Sequence, residues 1–115
     1  MSWDNNIYDN PEKHGLKVVA ELEYSDGNYR FDTRVVWRHE ETGILYTARD
    51  MGCSCPAPFE DYNKLSDLEQ LASLDTLHNE YKADGHSEYA YDHTVPQEEW
   101  ARFSRSVRDA LAKTK

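Results

Sequence analysis

At 115 residues the chain has room for one domain, and a domain of this size buries roughly two-thirds of the surface its unfolded chain exposes, enough for an unstapled core. Apolar residues are only 38% of the total, but three Trp, eight Tyr and three Phe bury about 150–250 Å² apiece, which argues against a disordered chain. Asp and Glu number 22 against 13 Lys and Arg; the formal charge of -9 repels phosphate backbones, so direct nucleic-acid binding is not expected.

The charge is uneven. Residues 50–99 carry 12 acids and 2 bases, whereas residues 100–115 carry 1 acid and 5 bases. The middle of the chain reads as an acidic, solvated surface. The opening MSWDNNIYDN has neither a basic start nor an apolar run, and no stretch approaches the ~18 apolar residues of a membrane span. Two cysteines two positions apart make no disulfide framework. A cytoplasmic protein without membrane contact is expected.

Residues 1–15 predict an irregular arm, punctuated by Asn10-Pro11 and Gly15, whose Trp3, Ile7 and Tyr8 pack back onto the domain. An antiparallel sheet is predicted over 16–49. Leu16, Val18, Ala20, Leu22 and Tyr24 alternate with Lys17, Glu21 and Glu23, and Tyr29, Phe31, Thr33, Val35 and Trp37 alternate with Arg30, Asp32, Arg34 and Arg38. Period two marks half-buried strands. Asp26-Gly27 between them is a two-residue hairpin signal, because both positions of that turn need positive φ. Such a turn sets Leu22 opposite Phe31, Ala20 opposite Thr33 and Val18 opposite Val35, with Glu23 meeting Arg30 on the solvent side.

A second turn at 40–43 leads into a third strand, Ile44 to Arg49. Ile44, Tyr46 and Ala48 face the core beside Trp37, unless a bulge at Gly43 brings Leu45 inward. The expectation is a three-stranded meander with one wet face; a fourth strand through Tyr89 and Tyr91 stays open. Residues 50–63, with two prolines and a glycine, predict an irregular Cys/Pro loop. From 64 to 115 the chain is predicted mainly helical. Ser66-Asp67-Leu68-Glu69 has the form of a capping box, and Leu68, Leu71, Ala72, Leu74, Leu77 and Tyr81 form a helical stripe that breaks near Ser73 and ends at Asp84-Gly85. Thr94 and Pro96 open a last helix whose Trp100, Phe103, Val107, Ala110 and Leu111 share one face. That face must cover the sheet, giving one α+β domain.

Gly52-Cys53-Ser54-Cys55-Pro56 is the one local feature beyond ordinary punctuation. Three chemistries fit it. Cys53 and Cys55 with His78, His86 or His93 would make a zinc site, although zinc knuckles usually space their cysteines more widely. The two thiols would cycle as a redox pair, although the Cys-x-x-Cys arrangement that lowers a thiol pKa is missing. Or both simply pack a tight loop as small apolar groups. Phe59 and Tyr62 either dock a peptide or anchor this loop over the core. No nucleophile–base motif and no phosphate-cradling glycine loop occurs, so a non-catalytic protein without cofactor is expected. Asp67, Asp75 and Glu80 project away from the leucine stripe and make the expected binding face.

The segment Ile44–Tyr62, ILYTARDMGCSCPAPFEDY, resembles a group of small actinobacteriophage proteins, and Asn10–Leu16, NPEKHGL, is similar to their N-terminal segment. The resemblance implies a phage product in the bacterial cytoplasm and transfers no activity to any residue. With the acidic face, it leads to the expectation of an interaction protein that binds a host or phage protein. The competing expectation is a metal- or thiol-dependent module at Cys53 and Cys55, completed by His86 or His93.

Overall fold

The computed structural model describes residues 6–8, 10–24, 30–53, 59, 62, 64–85 and 95–113, of which 30–31, 52–53 and 84–85 are described by backbone alone. Four antiparallel strands lie in chain order: β1 (Leu16–Glu23), β2 (Arg30–His39), β3 (Leu45–Cys53) and the short β4 (Glu69–Gln70). Helix α1 (Asp75–Glu80) runs on as a π-helical turn, Tyr81–Gly85, and α2 (Gln97–Lys113) closes the fold. This is an α+β architecture. The arm contains a 3-10 turn, Pro11–His14, ended by Gly15 at φ 73. Only glycine takes that backbone cheaply, and a Cβ there would sit 3.3 Å from the His39 ring.

The expected wet face does not exist. Central strand β2 buries Val35, Val36 and Trp37 completely, and consecutive strand residues point to opposite faces. Val36 joins Leu22, Tyr24, Leu45, Phe103 and Val107 on one side. Val35 and Trp37 join Ile7, Leu16, Ala48, Phe59 and Leu68 on the other. Two cores therefore sandwich the sheet. The helices cover one face; Ile7 and Tyr8 of the arm pack with Phe59 and Tyr62 on the second, joined by the Ile7 amide donating to the Tyr62 carbonyl at 2.9 Å.

The β1–β2 register also departs from expectation. Leu22 pairs with Arg34, Ala20 with Val36 and Val18 with Trp37, instead of with Phe31, Thr33 and Val35. The described part of the ladder reaches the Tyr24 amide, which donates to the Asp32 carbonyl at 2.7 Å. The turn's own residues, 25–29, and the Phe31 side chain lie outside the described residues. The departure is three positions at Leu22 and two at Val18, the difference being a bulge between Val18 and Ala20. That bulge switches β1 from one core to the other, so Leu16 reaches the arm side while Ala20, Leu22 and Tyr24 reach the helix side. Glu23 meets the Thr33 hydroxyl and the Asp32 amide; the Arg30 side chain expected beside it lies outside the described set.

The turn at 40–43 forms as expected, with Gly43 at φ 78 and the Gly43 amide donating to the His39 carbonyl at 2.7 Å. Tyr46 and Ala48 pair with Trp37 and Val35 on the arm side, while Leu45 is buried on the helix side, so both offered alternatives are occupied. Strand β3 continues to Cys53, beyond the expected end at Arg49.

The helix expected from Ser66 is replaced by a 3-10 turn (Leu65–Asp67) and β4, and α-helix begins only at Asp75. Spacing explains the error. Leu68 and Leu71 share a helix face, but in an extended chain three positions apart means opposite faces, and each leucine enters a different core. The fourth strand is thus Glu69–Gln70, where the Leu71 amide also donates to the Leu45 carbonyl at 2.8 Å; Tyr89 and Tyr91 lie outside the described residues. Ser73 marks the start of α1 and not a break within a helix: its hydroxyl accepts the Asp75 amide at 3.2 Å. Helix α2 presents its expected apolar face, with Trp100 and Leu111 at the margin and Phe103, Val107 and Ala110 buried.

Burial ranks the side chains. Trp37→Ala should cost about 3–5 kcal/mol in denaturant unfolding, because a fully enclosed ring leaves a cavity. Trp37→Phe should cost much less, since the buried Trp37 Nε1 has no hydrogen-bond partner among the described residues. Trp100, half-buried between Tyr81 and His78, should cost less than Trp37 on truncation.

Candidate interaction surface and its charge network

Beneath α1, two arginines stand side by side on the sheet. Arg34 and Arg49 are direct cross-strand partners, an arrangement that repels unless anions intervene. Two carboxylates do so. Asp32 takes Arg49 in a bidentate pair, Oδ1 from Nε at 2.7 Å and Oδ2 from the terminal nitrogen at 2.8 Å. Glu80, the last residue of α1, accepts Arg34 Nε at 3.0 Å and a second Arg34 nitrogen, and lies 3.4 Å from Arg49. The Arg49 guanidinium also sits 4.4 Å above the Tyr24 ring. Burial, then the Glu80 charge, push the Tyr24 hydroxyl well above its ordinary range, with Arg49 opposing.

This network corrects the expected binding face. Glu80 does not project into solvent; its side chain is about 15% exposed and its charge is neutralised within the fold. Asp67 and Asp75 are exposed as expected, and Glu69 joins them on β4. Asp67 also turns one oxygen back to the Lys64 amide at 3.2 Å. The acidic surface is therefore Asp67, Glu69 and Asp75, along the β4–α1 edge.

The two loop aromatics separate from that surface. Phe59 is fully buried, stacked on Tyr8 (5.1 Å between centroids) and edge-on to Trp37 (5.8 Å). It holds a left-handed backbone, φ 60, secured by the Asp50 carboxylate accepting its amide at 2.8 Å. Tyr62 is half-buried, edge-on to Phe59. Both anchor the loop, and Phe59 offers no docking surface. Burial, reinforced by the Asp50 charge, raises the Tyr62 pKa.

Cys53 ends β3, with its side chain outside the described set, and Cys55, His86 and His93 lie outside it altogether. His78 is exposed and stacks on Trp100 at 5.8 Å. Among the described residues no group of three His, Cys, Asp or Glu comes together to hold a metal, and no helix is long and apolar enough to cross a membrane.

Sequence reasoning placed Arg34 on a solvated face and so missed the network. The available signal was the density of charge on β2 beside the fully apolar Val35-Val36-Trp37, which a strand covered on both sides must pair internally.

Residues 5–113 match a family described as a domain of unknown function, DUF7574, and the chain belongs to that family. No curated protein and no solved structure matches it.

Two outcomes test the network. Glu80→Gln should destabilise the fold by about 2–3 kcal/mol, because two facing arginines lose a shared carboxylate. Tyr24 deprotonates more easily unfolded, near its ordinary 10.0, than folded. Its contribution is thus complete below about pH 10 and is lost as pH rises toward the folded value. Stability followed through alkaline pH should fall less steeply in Tyr24→Phe.

Proposed function

We propose that this protein works by binding another protein, and that its solvent-facing carboxylates recognise a positively charged partner. One observation carries this: Arg34 of β2 and Arg49 of β3 are paired with Glu80 and Asp32, while Asp67, Glu69 and Asp75 remain exposed. Negative charge is thereby presented outward along the β4–α1 edge. At physiological salt such charge is screened over about 8 Å, so it steers the partner's approach more than it holds the complex. The likeness of the Gly52–Glu60 segment to actinobacteriophage proteins supports a host or phage protein as partner, met in the bacterial cytoplasm. The reading needs no cofactor, nucleic acid or membrane.

The test is kinetic. A partner captured from host lysate and purified should associate several-fold more slowly with the Asp67→Asn, Glu69→Gln, Asp75→Asn triple variant, with a weaker salt dependence and unchanged folding. Equal association rates at every salt concentration would remove the acidic edge from the mechanism. A chelator-free preparation carrying about one zinc per chain would redirect attention to Cys53 and Cys55.

A further inference from the structure

At the opposite side of the sheet from β4, strand β1 has β2 on one side and no strand on the other among the described residues. A cleft of about 200 Å³ runs there, lined by residues 19–23 of β1 and by Glu99, Arg102, Phe103 and Ser106 of α2. Successive strand side chains alternate between faces, so five in a row border one cleft only along the strand's edge. The four helix residues stand at i, i+3, i+4 and i+7, a single stripe. The cleft is therefore a groove between a strand edge and a helix.

The backbone of that edge is oriented. Tyr24 bonds to Asp32 across the ladder, and hydrogen-bonded residues alternate along an antiparallel pair. Leu22 and Ala20 thus turn their amides and carbonyls toward β2, and Glu21 turns its own outward. On the amino-terminal side the bulge at Val18/Ala20 and exposed Lys17 close the edge to pairing. The volume is below the ~300 Å³ at which small-molecule pockets begin, and suits one or two side chains of a peptide. Glu21, Glu23 and Glu99 border it against one guanidinium, Arg102; Glu21 accepts from the Tyr8 hydroxyl at 2.9 Å yet stays exposed, and Glu23 is held by Thr33 and the Asp32 amide.

We propose that this groove takes an extended, lysine- or arginine-bearing segment of a partner protein by strand addition to β1. One rung forms on the outward backbone of Glu21. The partner residue at that rung shares the face of Glu21 and is basic, while its apolar neighbour turns to the helix side and enters over Ala20, Leu22 and Phe103. The proposal rests on the interaction role above but uses a different surface from the β4–α1 edge.

The probe is a capped heptapeptide of alternating lysine and valine, titrated into the isotope-labelled full chain and followed by amide chemical shifts. Shifts should cluster at residues 19–23 and 99–106, and amide exchange at Glu21 should slow. A glutamate–valine peptide should not bind. Glu21→Pro removes the outward N–H and spares the rungs to β2, and should weaken binding about tenfold. Ser106→Trp fills the groove without touching the strand, and should abolish binding even if the proline variant fails to fold. No binding of the lysine–valine peptide, shifts elsewhere, or undiminished binding by Ser106→Trp would overturn the groove. A captured partner that binds Ser106→Trp normally yet responds to the Asp67, Glu69 and Asp75 changes would sink the groove and leave the interaction role standing.

Discussion

Strand β2 is apolar on both faces at its centre, and the remaining architecture follows from having to cover both. Val35 and Trp37 point one way and Val36 the other, each fully enclosed. Among the described residues no second sheet supplies the covers, so irregular pieces take one of them. The helices roof the Val36 side. On the Trp37 side, Ile7, Phe59 and Leu68, from three separated stretches, meet around one indole. Phe59 makes its edge-on contact with Trp37 from a left-handed backbone, its amide held by the Asp50 carboxylate.

The same two-sided burial forces the charges of the sheet into pairs. A β2 arginine on a wet face would be solvated, but Arg34 lies under α1, where desolvation demands partners. Glu80 and Asp32 provide them. Pairs of this kind rarely add much net stability over apolar packing; their geometric demands fix where an element docks. For α1, six residues long and marginal by itself, the shared carboxylate specifies its seat on the sheet. With Glu80 turned inward, Asp67, Glu69 and Asp75 are the exposed carboxylates of the β4–α1 edge.

Both edges of the sheet take their character from chain routing. Beyond β3 the two residues of β4 occupy the edge, so the leucines around it serve opposite cores. At the other end, the bulge in β1 shields its first half and leaves the second half beside α2. A helix laid along a strand edge shapes a groove there, which a flat sheet margin does not.

Local patterns in the sequence were sufficient for the class of fold, the three long strands, the turn at 40–43 and the apolar face of α2. Each depends on a repeat of two or 3.6 residues, or on a glycine that must take positive φ, and those signals survive without neighbours. The β1–β2 register, β4 in place of a helix turn, the second core and the inward course of Glu80 were decided only by tertiary structure. Alternation tells which residues share a face but not whether the other face is wet, and Leu68 and Leu71 fit a helix stripe as well as two opposed cores. Arg34 reads as solvated until α1, dozens of residues later in the chain, lies over it. Long-range contact sets the dielectric around a side chain, and that environment determines whether its charge faces a partner or is spent inside the fold.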